Sequence, residues 1–246
     1  MIRVLLLAAL AAVLAAVGWL TLARAPQIAL LDAVAVPVAG QPGVWTVGLT
    51  MRNEGPPDRL LGVRGEGAAF ANPAAPGLAV VLPGGDEAQL AMDGAHAMLS
   101  SDEAPGTLVP LTLLFEGGGA LSTRVRLSEA QAMDHGAMPG LEADPAPTVA
   151  LSAPNGTGPD GFAIALQTTG ITFREVPEGT PHVPGEGHAH VYLNGLKLGR
   201  AYAATMGVGS LPPGNYRLTV ALNAHDHRPY LSDGVPVTDS LEFTIP

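Results

Sequence analysis

The residues best suited to chemistry in this sequence are its histidines. Five of the seven fall between His182 and His227, and four of these form two His-x-His pairs, His188-Ala189-His190 and His225-Asp226-His227. The first pair directly precedes a strand and reads as its beginning. Alternation there puts both rings on one face, with their backbones roughly 6.5–7 Å apart. The second pair repeats the spacing at the end of the strand Tyr216 to Leu222. If those strand ends meet, three or four imidazoles converge on one ion with bonds of about 2 Å. Imidazole suits copper, zinc, iron and nickel, so spacing alone does not choose the metal. Asp226 offers either a ligand or an acceptor that fixes an imidazole tautomer. His182 lies in the neighbouring loop and is close enough in sequence to contribute, whereas Met206 reads as a packing residue. The competing reading makes all of them polar surface residues with no shared partner. Two His-x-His pairs in one small block favour the metal, with His188, His190 and His227 as first-choice ligands and His225 next.

Other chemistries find little support. The chain has no cysteine, which excludes disulfides, thiolate zinc sites, iron–sulfur ligation and cysteine nucleophiles. Any soft ligand must then be one of seven methionines. No Gly-x-Ser-x-Gly elbow and no phosphate-binding Gly-x-x-x-x-Gly-Lys loop is present, so no catalytic residue and no enzyme activity is expected. A net charge of −10 argues against nucleic acid, which requires a basic footprint.

The elements that must position these histidines read as strands. Gly (31) and Pro (23) are abundant, while only 4% of residues are aromatic and 14% charged, a composition that favours short strands and turns over long helices. Segments Trp45 to Met51, Leu78 to Leu82, Leu108 to Phe115 and Leu121 to Leu127 make a first β block over residues 28–128. Residues 129–147, rich in Pro, Ala and acidic side chains, read as a linker. A second β block, 148–246, contains Phe162 to Thr168, a hairpin turning at Asn194-Gly195, Tyr216 to Leu222 and Ser240 to Ile245. The Asn-Gly pair is the strongest short-range hairpin signal in the chain. The expected fold is therefore all-β, with two β-sandwich domains, the second Ig-like. At the N-terminus, Met1-Ile2-Arg3 and the apolar run Val4 to Ala23 predict that residues 1–25 are a signal peptide or membrane anchor. The expected location is periplasmic or otherwise extracytoplasmic, with membrane contact only through this segment.

The first block resembles the periplasmic copper(I) chaperone family PCu(A)C. The resemblance is carried by Met51-Arg52-Asn53-Glu54-Gly55, Asp58-Arg59-Leu60-Leu61-Gly62-Val63, His96-Ala97-Met98-Leu99 and Val109-Pro110-Leu111-Thr112-Leu113, in the family's order over about residues 28–127. It implies a cupredoxin-like sandwich and copper, Cu(I) and/or Cu(II), as the bound ion. It also places His96 and Met98 on that family's closing His-x-Met ligand pair. The family's other His and Met ligands are missing, because the corresponding stretch reads Phe70-Ala71-Asn72-Pro73-Ala74-Ala75-Pro76-Gly77. Soft sites usually need at least three ligands, so His96 and Met98 form at most an incomplete second site. Met133-Asp134-His135-Gly136-Ala137-Met138 in the linker resembles the family's copper-gathering tracts. Through Pro184-Gly185-Glu186-Gly187-His188-Ala189-His190-Val191-Tyr192 and Leu222-Asn223-Ala224-His225-Asp226-His227, the second block is similar, less specifically, to a module of exported bacterial proteins.

These readings converge on an exported copper-binding protein, a chaperone or buffer that passes copper to a recipient cuproprotein such as a respiratory oxidase. The alternative is a non-metal envelope interaction protein whose two sandwiches present loops to a partner. A copper enzyme with an open coordination position is a third reading, for which the sequence offers no substrate pocket.

Overall fold

The protein was analysed as a computed structural model, which describes residues 27–129, 139–152, 160–177 and 179–246. The expected export segment 1–25 and the Met133–Met138 tract lie outside the described residues. Within them the chain is all-β, and no helix occurs. The N-terminal block supplies β1 (Ile28–Pro37), β2 (Val44–Asn53), β3 (Asp58–Arg64), β4 (Ala69–Ala71), β5 (Val80–Leu82), β6 (Asp86–Leu90), β7 (His96–Ser100), β8 (Leu108–Phe115) and β9 (Gly119–Leu127). The C-terminal block supplies β10 (Leu141–Glu142), β11 (Thr148–Ser152), β12 (Phe162–Thr169), β13 (Thr172–Phe173), β14 (Glu186–Leu193), β15 (Leu196–Ala201), β16 (Thr205–Val208), β17 (Gly214–Asn223), β18 (Tyr230–Ser232), β19 (Val235–Pro236) and β20 (Thr238–Ile245).

One large sheet runs through both blocks in the order β20-β17-β14-β15-β6-β2-β1-β9-β8-β3-β5. β1 turns it from one layer into the other. It pairs antiparallel with β2, breaks register between Leu31 and Val34, and then pairs in parallel with β9 through Val34 and Ala35. Asp32, at φ 51°, sits in that break; such a bulge bends a strand and sharpens its twist. The sheet doubles back until β5 lies against β6 and β15. In the C-terminal block a second sheet, β11-β12-β16, covers β17 and β20, with Phe162 edge-on to Phe243 at 5.6 Å.

The two expected blocks meet edge to edge. β15 pairs with β6 through Lys197 and Gln89, and Gly84 and Ser210 exchange backbone hydrogen bonds of 2.9 and 3.0 Å. A single apolar core, from Met51, Leu82 and Leu113 to Leu193, Leu218 and Leu222, extends through both.

β14 lies inside this assembly, between β15 and β17. Seven of its eight residues are buried, so both of its faces are covered. Alternation assigns Ala189, Val191 and Leu193 to one face and His188, His190 and Tyr192 to the other. On the histidine face the residues opposite His188 and His190 on β17 are Asn223 and Ala221. The short side chain of Ala221 leaves room for an imidazole beside it.

Candidate metal centre

His188, His190 and His227 come together. One ring nitrogen from each lies within 4.8 Å of the others. His188 Nε2 is 3.0 Å from His190 Nε2, and the His227 ring centroid lies 5.1 Å from that of His188 and 5.7 Å from that of His190. Three nitrogens bound at about 2 Å in tetrahedral or trigonal geometry stand roughly 3.3–3.5 Å apart, so the cluster needs only small ring movements to hold one ion. His188 and His190 are buried, at 2% and 3% exposed, and His227 is partly buried, so the first pair does not lie on the surface. Tyr202 lies against His188, with 5.5 Å between ring centroids.

The third histidine arrives by a different route from the one strand alternation predicts. β17 ends at Asn223, and residues 224–228 form a tight turn. Its bonds run from His227 N to Ala224 O (3.0 Å) and from Ala224 N to Arg228 O (3.0 Å). Asn223 Nδ2 donates to His227 O at 2.9 Å, and His227 adopts φ 66°. This left-handed turn carries His227 to the cluster and sends His225 elsewhere. His225 Nε2 faces Glu186 Oε2 at 3.3 Å, so it does not join the other three. His182 stands edge-on to Tyr230 at 5.9 Å and is also outside the cluster. Asp226 is occupied by Arg228, and Met206 packs against the core.

His96 and Met98 lie on β7 in the N-terminal block, facing Ala71 and Ala69 of β4. His96 is buried, and its Nδ1 bonds Gly94 O at 2.9 Å. Among the described residues, the triad is the one group of at least three His or acidic side chains close enough to share an ion, and His96 is not part of it.

Burial sets the charge state of His188 and His190. The His188 pKa is pushed down to about 3 by burial and by the charges of His190, His227, Arg200 and Lys197. That of His190 is pushed down to about 4, chiefly by burial and against the pull of Asp93. Both rings are therefore neutral at pH 7, the form that ligates metal. Three groups absent from the sequence reading surround His190. Asp93, in the turn between β6 and β7, places Oδ2 3.0 Å from His190 Nδ1. The same oxygen accepts from Lys197 Nζ at 2.6 Å and from Tyr192 Oη at 2.8 Å. Burial raises the Asp93 pKa, but His190 and Lys197 outweigh it and hold the carboxyl below its usual range. Lys197 is buried, and burial lowers its pKa against the pull of Asp93. No local motif marks Asp93, because its partners lie about a hundred residues away.

No protein-family model and no curated protein matches the chain. Among solved structures it is similar to the copper-bound PCuAC domain from PmoF2, at 23% identity over 42% of this chain and 94% of that one, with TM-score 0.36. The apo PCuAC domain from PmoF1 gives 20% identity over 44% and 95%, with TM-score 0.36. The fibronectin(III)-like modules of Clostridium thermocellum CbhA give 11% identity over 89% and 93%, with TM-score 0.28.

Proposed function

We propose that this chain binds copper through His188, His190 and His227 and acts in an extracytoplasmic compartment as a copper chaperone or buffer. The observation that carries the reading is the convergence of three imidazole nitrogens within 4.8 Å on a buried strand face. Imidazole accepts copper as it does zinc, iron and nickel, and copper is favoured among them because residues 28–127 carry the PCu(A)C-like segments. The apolar run before Ala23 supports export. The chain does no chemistry on a substrate; it holds the ion and passes it by ligand exchange to a recipient cuproprotein.

The test is a competition titration of the purified full-length chain with copper(I), copper(II) and zinc(II) against chelators of known affinity. One copper per chain is expected, with binding lost in His188→Ala, His190→Ala and His227→Ala and kept within about threefold in His225→Ala. Failure of the wild-type chain to take up copper in either oxidation state would falsify the proposal, and a clear preference for zinc would reassign the ion.

A further inference from the structure

We infer that Asp93, supplied by the N-terminal block, is a positioning residue for the metal centre of the C-terminal block. This rests on the reading of His188, His190 and His227 as ligands. A metal-ligating imidazole commonly donates its second ring N–H to a carboxylate, which fixes both tautomer and ring orientation. Asp93 Oδ2 stands 3.0 Å from His190 Nδ1, and the other nitrogen of that ring, Nε2, faces His188. Lys197 Nζ and Tyr192 Oη also approach His190 Nδ1, at 3.1 and 3.3 Å. Both donate over shorter distances to Asp93 Oδ2, 2.6 and 2.8 Å, so the carboxylate accepts the Nδ1–H hydrogen bond and the Nε2 lone pair is left directed into the triad.

The surroundings make Asp93 a fixed acceptor. Lys197 Nζ and Tyr192 Oη donate to the same oxygen, so the carboxylate cannot rotate away without stranding a buried ammonium. Its turn is held on both sides. Gly94 N bonds Ala91 O at 2.9 Å, and Ala95 N bonds Gly195 O of the β14–β15 hairpin at 2.8 Å. His96 Nδ1 donates to Gly94 O. A Cβ on Gly94 would stand 2.6 Å from Gly195 O, so only glycine permits this approach. The N-terminal block therefore contributes orientation to a site whose ligands all come from the other block.

The experiment compares copper(I) affinity, by chelator competition, in the full-length wild type, Asp93→Asn, Lys197→Met, His190→Ala and Asp93→Asn/His190→Ala. Asp93→Asn should weaken binding by about 10- to 100-fold, and Lys197→Met by less than that, because the Tyr192 hydroxyl still holds the carboxylate. In the His190→Ala background Asp93→Asn should have no further effect, because its influence passes through that ring. A long-range 1H–15N spectrum of the apo-protein should show His190 protonated at Nδ1 in the wild type and a tautomer mixture in Asp93→Asn. If Asp93→Asn does not fold, Asp93→Asn/Lys197→Met removes the stranded charge and is titrated in its place. Wild-type affinity in the Asp93 variant, or an equal loss with and without His190, overturns the inference while leaving the copper site standing. Absence of copper uptake by the wild type removes both.

Discussion

His188 and His190 resist protonation in the folded chain, and this makes stability depend on pH. An unfolded histidine titrates near its ordinary value of about 6.5, whereas the folded values are about 3 and about 4. Between those limits the unfolded chain binds protons that the folded chain refuses, so stability falls as pH drops from 6.5 toward 4 and is flat above. For two such rings the loss is on the order of a few kcal/mol. Urea unfolding of the apo-protein at pH 7 and pH 4.5 should show it, with a smaller difference in His188→Gln. Asp93, shifted downward, adds its own loss only below the ordinary carboxylate value. At this scale the sequence disclosed the shared face of His188 and His190, since strand alternation is local. It did not disclose Asp93 or Lys197, because no local pattern joins residues 104 positions apart.

Turns decide where the ligands go. Asn194-Gly195 forms the predicted hairpin, with φ of 49° and 83°, and Leu193 pairs with Leu196 across it. Asn194 is also an anchor, accepting from Arg217 N at 2.8 Å and donating to Ala79 O at 3.0 Å. Asn72 Nδ2 donates to Asn194 O at 2.8 Å. The stretch 70–77, which lacks the ligands the family resemblance implies, thus serves to dock the other block's hairpin. Asn194→Ala should cost about 2–3 kcal/mol by denaturant titration, because it strips two hydrogen bonds from a buried turn. The second His-x-His pair departs from strand alternation for an equally local reason: β17 ends at Asn223, and the backbone turns left-handed at His227 and separates His225 from it. In β7, His96→Ala combined with Met98→Ala should leave copper stoichiometry at one per chain while lowering the thermal midpoint, because His96 braces the turn that carries Asp93.

Across the whole molecule, the strand-rich architecture followed from composition and turn spacing, whereas the pairing of β6 with β15 did not. Edge-to-edge pairing of strands distant in sequence leaves no local signature. Because the blocks share a sheet and a core, calorimetry should show one cooperative transition. Free copper at 100 times its Kd should stabilise the chain by about 2.7 kcal/mol; two transitions, only one of them moved by copper, would contradict that expectation.

The seam between β6 and β15 also has a consequence in time. Lys197 reaches Asp93 across 104 positions, and contacts of such long range are slow to close. An emerging chain would carry all three ligand histidines before the turn that aims one of them is docked. On the proposed ligand assignment, tight capture is then reserved for molecules whose two blocks have already joined, and a chain that has not finished folding would hold the ion less firmly.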